Sequence, residues 1–380
     1  MPKRIVQLSL LAAAVGLFAT GCSAPQDPAA ENSGEKEPIV VVDQNGEEQQ
    51  LPGSIDRFVT TALPLPSVYA VTGEPLDKLV GMHPGSASAI KDSVMAAMYP
   101  DLLDVPSSFV QGDEINVEEL LALKPDAVMY WAEYGNQRDA MKAAGIPIVG
   151  VKTQGDGDAL VTFDSWVEIM GRMFGSTGKT DAVVDYGKRV KEEVAQKTAS
   201  IDEKDKPRTL FLFNHDDKKI TTSAQGHYGQ GWIDAAGGVN VASELSGTPA
   251  ISMEQIYEWN PDVIIITTFS QTMPEDLYNN TVPGQDWSNV KAVREGRVYK
   301  EPIGVYRWFP PSGDAPLMLK WMSETLYPDL FDYDMEAEIK AYYNEFYSYD
   351  ISDDQVKGVL SSNPEAARGA DWQYKSSNTK

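Results

Sequence analysis

The chain has 380 residues, of which 42% are hydrophobic, and this length suits one large or two medium-sized domains. Its formal net charge is −24, which argues against binding to nucleic acid or to anionic lipid headgroups. Because Cys22 is the single cysteine, the protein forms no internal disulfide, and its fold depends on burial of a hydrophobic core.

The first residues have the organisation of an export signal. Lys3 and Arg4 form a basic region, residues 5–19 are apolar, and small residues lead to Cys22. An apolar run of about 15 residues is typical of a signal-peptide core and is short for a membrane span. The lone cysteine after small residues resembles a lipobox, in which the thiol is acylated and the preceding peptide is removed, although Ala19 stands where leucine is usual. We predict a lipoprotein signal peptide over residues 1–21; the alternative is an ordinary secretory signal with an incidental cysteine.

Residues 22–38 are rich in Pro, Ala, Glu, Ser and Gly and are predicted to be a flexible tether. Strands and helices then alternate, which is typical of a parallel α/β sheet. Asn116 is a predicted helix N-cap, with Glu119 three residues later as in a capping box. For a first lobe over residues 39–175, we predict strands at 39–42, 57–63, 79–82, 127–131 and 146–151, and helices at 67–73, 116–123, 136–144 and 159–174.

A long helix of mixed charge is predicted from about residue 179 to 200, and the segment 176–201 would link this lobe to a second one over residues 202–362. A polar tail follows at 363–380. In the second lobe we predict strands at 209–214, 263–267 and 297–300, a hairpin at 220–224, and helices at 230–236, 252–258, 284–293 and 313–326.

The two lobes share a faint repeat. Residues 115–128 read INVEELLALKPDAV, and residues 251–264 read ISMEQIYEWNPDVI. Both segments have a glutamate at the fourth position, Pro-Asp at the eleventh and twelfth, and then a buried strand. The repeat predicts the same helix-to-strand step in each lobe.

These segments make the chain similar to the substrate-binding lipoproteins of ABC importers for iron–siderophores, haem and vitamin B12. The resemblance extends over about residues 39–350 and includes LDKLVGM (76–82), STGKTDAVVDYGKRV (176–190), WIDAAGGVNVASEL (232–245) and WSNVKAVREGRVYKEP (287–302). It implies an α/β protein of two lobes with mostly parallel sheets, joined by one long helix, with a ligand cleft between the lobes. The linking helix would limit opening of the cleft.

By motif position, the resemblance also implies that Glu118 and Glu254, one in each lobe, dock onto arginines of an ABC permease dimer with its ATPase. The alternative interpretation is that each is a first-turn glutamate favoured by the helix dipole. The protein is expected to be a monomer that reaches the membrane through its lipid anchor only.

The cleft should be built from loops that follow the strands. Aromatic, cationic and imidazole groups on these loops suit a planar or anionic chelate, because aromatic rings stack and arginine pairs with carboxylates or catecholates. The candidate ligand-binding residues are His83, Trp131, Tyr134, His215, His227, Tyr228, Tyr306, Arg307 and Trp308.

The three histidines raise the question of direct metal binding. Metal-binding proteins of the same architecture carry a histidine on the middle strands of the first lobe and often a His-rich loop, and this chain has neither. Coordination of an incoming chelate by His227 or Tyr306 stays open as an alternative. No resident cofactor is expected.

Enzyme motifs are absent from the sequence. Gly178-Lys179-Thr180 looks like the end of a P-loop, but Met173 stands where that pattern needs glycine. There is no Gly-x-Ser-x-Gly elbow and no HExxH. We therefore expect a non-enzymatic, extracytoplasmic solute-binding protein for a metal chelate, foremost an iron–siderophore. The alternatives are a haem or corrinoid receptor, bare transition-metal binding, or a surface or signalling protein of the same fold without a transport role.

The lipid anchor is directly testable. The variant Cys22→Ser should be released into the medium or stall during processing, because it lacks the acylated thiol. Cell fractionation and mass spectrometry of the N-terminus measure this. A variant that stays membrane-bound and is cleaved normally would contradict the prediction.

Overall fold

The computed structural model describes residues 36–112 and 114–361. The predicted signal peptide, Cys22, most of the tether and the polar tail lie outside the described residues. Within the described part of the chain, no helix has the length and apolar character that crossing a bilayer requires.

The first lobe contains a parallel sheet with strand order β4-β3-β7-β8, an antiparallel hairpin of β1 and β2, and a second small hairpin of β5 and β6. Short 3₁₀ turns precede β4 and follow α3. The elements are β1 (Ile39–Val42), β2 (Glu48–Leu51), β3 (Phe58–Thr60), α1 (Leu65–Ala70), β4 (Leu79–Met82), α2 (Pro84–Lys91), α3 (Met95–Met98), β5 (Val110–Gln111), β6 (Glu114–Ile115), α4 (Val117–Ala122), β7 (Ala127–Trp131), α5 (Gly135–Ala143), β8 (Ile148–Val151) and α6 (Ala159–Phe174).

One long helix, α7 (Thr177–Thr198), leads from this lobe to the next. Gly175 ends α6 in the left-handed conformation, with φ of 71°, which glycine adopts without steric cost. Lys191 of α7 pairs with Asp158, the N-cap of α6, at 2.9 Å between Nζ and Oδ2. This ion pair connects the long helix to the start of α6.

The second lobe repeats the arrangement with a parallel sheet of order β12-β9-β14-β15 and a small antiparallel sheet of β10, β11 and β13. The elements are β9 (Arg208–Leu212), β10 (Asn214–His215), β11 (Ile220–Thr221), α8 (Tyr228–Ala235), β12 (Val239–Asn240), β13 (Ala250–Ile251), α9 (Met253–Trp259), β14 (Val263–Ile266), α10 (Pro274–Tyr278), α11 (Lys291–Arg294), β15 (Val298–Lys300), α12 (Ala315–Leu326), α13 (Met335–Tyr347) and α14 (Asp353–Leu360).

Alternate residues of the central strands pack into different hydrophobic clusters, as the two-residue period of a strand requires. In β14, Val263 and Ile265 join a large cluster shared by both lobes, while Ile264 and Ile266 join a cluster on the opposite face. The large cluster also contains residues of α6, α7, α12 and α13. The two lobes thus share a continuous core around the linking helix.

The internal repeat has a clear structural basis. The Asp126 carboxylate accepts the backbone N–H groups of Asp56 and Arg57 at 2.8 Å each, just before β3. In the second lobe the Asp262 carboxylate accepts the N–H of Arg208, the first residue of β9, at 2.8 Å. Each arginine side chain also donates to a carbonyl at the end of the helix that precedes the Pro-Asp pair. Arg57 donates to the carbonyl of Leu123, after α4, and Arg208 donates to that of Trp259, at the end of α9. The Pro-Asp pair therefore connects helix, strand and neighbouring strand in both lobes.

The two-lobed α/β class is confirmed, and β1, β4, β7 and α6 have the predicted bounds. The helix predicted at 284–293 is wrong over most of its length, since only Lys291–Arg294 is helical. The Asn280 side chain accepts the N–H of Trp287, and the Trp287 indole is fully buried, so this segment is held as an irregular loop. The sequence does not predict helices α2, α3, α10, α13 and α14.

Replacement of the repeat aspartates tests their role. We expect Asp126→Ala and Asp262→Ala each to lower the free energy of unfolding by about 1–3 kcal/mol, because charge-assisted bonds to backbone N–H groups are lost. Chemical denaturation measures this. Asp139→Ala is the matched control, since the exposed Asp139 pairs only with its neighbour Arg138 among the contacts described for it. A decrease in the free energy of unfolding no larger than that of the control would contradict a structural role for the repeat aspartates.

Candidate functional site

The loops at the carboxyl ends of both parallel sheets meet between the lobes. The Thr153 hydroxyl after β8 lies 2.9 Å from the Tyr228 hydroxyl at the start of α8. The N–H of Val94 donates to the carbonyl of Gly304 at 3.2 Å. Ligands of open α/β sheets bind at this edge, so the interlobe junction is the candidate site.

Backbone contact between the lobes is unusually close at one point. Gly157 has φ of 93°, and a Cβ on it would lie 2.8 Å from the carbonyl carbon of Gly226. A Cβ on Gly231 would lie 2.7 Å from the carbonyl oxygen of Gly157. Only residues without a side chain allow this approach.

An aromatic wall lines the second lobe's side of the junction; it consists of Phe213, His227, Tyr228, Phe269 and Phe309. The ring centroid of Phe213 lies 5.2 Å from that of Phe269 and 5.4 Å from that of Phe309. The ring centroids of His227 and Tyr228 are 5.2 Å apart. Phe309 is buried, while the other four are half-buried. The wall therefore keeps partly exposed ring surface at the junction.

Arg307 lies against this wall. Its Cζ is 5.0 Å from the Phe269 ring centroid, a cation–π distance, and its Nη1 donates to the carbonyl of Thr268. The Glu301 carboxylate accepts the backbone N–H groups of Thr268 and Phe309. Burial raises the pKa of Glu301 to about 7. The buried guanidinium and carboxylate together fix the loop after β14 to the loop after β15.

The charge of Arg307 also has partners across the junction. Burial lowers the pKa of Arg307, and the nearby Tyr306, Glu301 and Asp92 oppose this effect. Asp92 follows α2 in the first lobe. Arg307 is thus in electrostatic reach of both lobes.

Lys300 stabilises the loop after β14, which carries Phe269. Its ammonium group donates to the carbonyls of Thr267, Ser270 and Thr272 in the loop after β14, at 3.0, 2.5 and 2.8 Å. Burial lowers the pKa of Lys300 to about 7. Its role in the described structure is to shape the loop that carries Phe269.

Asp314 holds the loop that carries Tyr306 and Arg307. Its fully buried carboxylate accepts the N–H of Val305 at 2.9 Å, the indole N–H of Trp308 at 3.0 Å, and a hydroxyl from α13 on each oxygen. Burial raises its pKa, and the four donors oppose that shift. Sequence analysis missed Asp314, Glu301 and Lys300, because nothing in their local pattern shows burial.

The first lobe contributes Trp131, the last residue of β7, and Tyr134, on the loop that follows; both are half-buried. The Trp131 ring packs edge-to-face on Trp166 at 5.4 Å. Burial raises the pKa of Tyr228 to about 12, and the charge of Glu133 adds to this rise. Glu133, exposed beside Tyr134, therefore faces the aromatic wall from the other lobe.

The histidines do not converge. His83 is buried, and its Nδ1 caps α2 by accepting the N–H of Gly85 at 2.9 Å. His215 is buried in the second lobe between Thr272 and Gln285, with ring nitrogens 2.9 and 2.6 Å from their side-chain oxygens. Among residues 36–112 and 114–361, no group of three His, Cys, Asp or Glu side chains could hold a metal ion.

The structure groups part of the predicted ligand-binding set. His227, Tyr228, Tyr306 and Arg307 cluster in the second lobe, and Trp131 and Tyr134 lie at the carboxyl end of β7 in the first lobe. His83, His215 and Trp308 point into the interior, where each side chain already has a hydrogen-bond partner. The ligand-binding roles themselves stay predictions.

Glu118 and Glu254 occupy equivalent places. Each is the second residue of its helix, in α4 and α9, and each is exposed. Hydrogen bonds from its own backbone N–H and from Ser252 lower the pKa of Glu254.

The lowered pKa values of the histidines predict that the stability of the protein depends on pH. Burial lowers the pKa of His83 to about 3 and of His227 to about 4, and it also lowers that of His215, from an ordinary value of 6.5. The unfolded chain then binds more protons between pH 6.5 and 4, so the free energy of unfolding should fall as pH decreases through this window. NMR titration of the His83 and His227 imidazoles should show no inflection between pH 5 and 8 in the folded protein, and inflections near 6.5 in denaturant. A folded-state inflection of His227 in that range would contradict its burial.

Comparisons with known proteins agree with this architecture. Residues 72–302 match the model of the periplasmic binding protein family. A solved periplasmic solute-binding protein from Veillonella parvula is 35% identical, with a TM-score of 0.77, covering 85% of this chain and 97% of the other.

Curated relatives show similar coverage. The ABC transporter substrate-binding lipoprotein YvrC of Bacillus subtilis is 25% identical over 87% of this chain and 99% of the relative. The molybdate-binding protein MolA of Haemophilus influenzae is 24% identical over 81% and 90%. The iron-uptake system-binding protein of Bacillus subtilis is 21% identical over 78% and 91%.

These proteins bind solutes and do not catalyse reactions. The matched family segment covers more than half of the chain and includes β4 to β15. The chain belongs to the periplasmic binding protein family.

Proposed function

We propose that the protein captures an anionic metal chelate, foremost a ferric siderophore, between its lobes and delivers it to the permease. The observation that carries this proposal is the Arg307 guanidinium, which lies over the Phe269 ring and near Tyr306. Ferric catecholates combine negative charge with flat aromatic surface. A guanidinium pairs with the charge, and the aromatic wall stacks on the rings.

The iron-uptake relative supports the metal-chelate class. His227 supports it in a second way, because burial lowers its pKa and keeps the imidazole neutral at physiological pH. A neutral imidazole can complete the coordination of an incoming chelate, and so can the Tyr306 phenol.

Molybdate is the second candidate, favoured by the relative MolA. A tetrahedral oxyanion needs the Arg307 guanidinium and backbone N–H donors, but it has no use for stacked rings. The aromatic wall therefore distinguishes the two candidates.

Delivery would follow from a lipid anchor at Cys22 and from docking of Glu118 and Glu254 onto the permease. Both glutamates are exposed on first helical turns, away from the aromatic wall in sequence and contacts. Exposed charges of this kind orient a partner without contacting the ligand.

Ligand titrations test the proposal. Purified protein should be titrated, by intrinsic fluorescence and calorimetry, with a ferric tris-catecholate, a ferric hydroxamate, haem, a corrinoid and molybdate. We expect the tightest binding for a ferric chelate. Binding of molybdate alone would establish the second candidate, and binding of none of these would contradict the ligand assignment.

Variants locate the site. Arg307→Ala should weaken binding of the preferred ligand about tenfold or more, because a desolvated cation is lost. Arg307 is only 2% exposed, so its removal should also lower the melting temperature. Arg307→Lys keeps the charge and separates the two effects.

Matched variants complete this experiment. Arg189→Ala is the control, since exposed Arg189 also lies over an aromatic ring, that of Tyr186 at 5.7 Å. Phe269→Ala should weaken a catecholate chelate and leave molybdate nearly unaffected. Unchanged dissociation constants for Arg307→Ala and Arg307→Lys would move the binding site away from this wall.

A further inference from the structure

Two exposed hydrophobic residues occupy equivalent positions in the internal repeat. When residues 115–128 and 251–264 are aligned, Leu121 in α4 corresponds to Tyr257 in α9. Leu121 is 44% exposed and Tyr257 is 41% exposed. Each lies three residues after the exposed glutamate of its helix, Glu118 or Glu254.

Single exposed hydrophobic residues are ordinary on protein surfaces and carry no inference. The equivalence is the informative feature, because both residues stand at the seventh position of the repeat. In the described part of the chain, the exposed large hydrophobic residues are Val40, Val42, Leu103, Leu121, Val161, Tyr257, Tyr278 and Leu330.

Residues three apart on a helix share one face, so each glutamate and its hydrophobic neighbour form one surface patch. We name Glu118 with Leu121 the first patch, and Glu254 with Tyr257 the second patch. The Tyr257 hydroxyl donates to the carbonyl of Asp286 at 2.6 Å, which restricts the ring. This bond orients the second patch, and both patches lie on helices, α4 and α9.

The helices themselves are anchored in the same way. Lys124 and Asn260 follow α4 and α9 with φ of 47° and 43°, and the Pro-Asp pair comes next. Asp126 and Asp262 then bind the neighbouring strand of their sheets. Each lobe thus presents its patch from the same rigid framework.

We propose that the two patches bind two equivalent sockets on the membrane subunits of the permease, each socket apolar at its centre and bordered by cationic side chains. This inference rests on the proposed docking of Glu118 and Glu254. Equivalent patches on the two lobes match a partner built from two equivalent subunits. The glutamates and the net charge of −24 favour a socket with a basic rim, while Leu121 and Tyr257 favour a socket with an apolar centre.

The two parts of a patch make different contributions to binding. Exposed glutamates steer association and lose effect as salt increases. Buried contacts of leucine and tyrosine slow dissociation and depend little on salt. The inference therefore predicts two distinguishable classes of variant.

The experiment measures binding of the mature protein to the permease–ATPase complex of its transport system in lipid nanodiscs, at low and high salt. Leu121→Ala and Tyr257→Ala should each weaken binding about five- to tenfold at both salt concentrations, through faster dissociation. The double variant should show the product of the two effects, since the patches lie on separate lobes. Glu118→Gln and Glu254→Gln should weaken binding mainly at low salt.

Matched controls come from the chain itself. Leu330 is 40% exposed and Tyr278 is 37% exposed, and the Tyr278 hydroxyl also donates to a backbone carbonyl, that of Val298. Leu330→Ala and Tyr278→Ala should bind like the unmodified protein. Melting temperatures and ligand affinity should be unchanged in all of these variants.

The outcomes separate the two proposals. If the unmodified protein does not bind the complex, both the docking proposal and this inference are overturned. If the glutamate variants lose affinity but Leu121→Ala and Tyr257→Ala behave like their controls, this inference alone is wrong. Weaker binding by both hydrophobic variants, retained at high salt, supports it.

Discussion

The buried carboxylate of Asp314 is the interaction on which the candidate site depends. An ionised carboxylate without water costs several kcal/mol unless its oxygens are hydrogen-bonded. Here one oxygen accepts the Val305 N–H, the Trp308 indole and a tyrosine hydroxyl, and the other accepts a second tyrosine hydroxyl. These bonds fix the loop before α12, and with it Arg307, relative to α13. The position of the guanidinium is therefore set before any ligand binds.

A second constraint is the continuous core around α7. The large hydrophobic cluster includes residues of both sheets, the linking helix and the C-terminal helices. Wide separation of the lobes would expose part of this cluster to water, at a cost of about 25 cal/mol per Å² of apolar surface. Backbone contact at Gly157 and Gly231 limits closure from the other direction. The shared core and the glycine contact therefore both oppose large movements of one lobe against the other.

The repeat explains how both lobes present their surfaces alike. The Pro-Asp pair ends a helix, begins a strand and binds the backbone of the neighbouring strand. Because this unit is local in sequence, one short segment is enough to form it in each lobe. Its equivalence places Glu118 and Glu254 at the same point of their helices.

The sequence by itself determined the fold class, the order of the lobes, the linking helix and the repeat. Strand alternation, buried runs such as residues 127–131, and capping residues such as Asn116 are local properties, and local patterns persist in the folded chain. It also identified Arg307, His227 and Tyr228 as candidates, because they lie on loops near strand ends, but it missed Phe213, Phe269 and Phe309 of the aromatic wall. Only the tertiary structure decided which loop side chains face the junction. His83, His215 and Trp308 turn inward because they form hydrogen bonds there with Gly85, Gln285 and Asp314. Gln285 is distant from His215 in sequence, and no local pattern shows that Asp314 is buried.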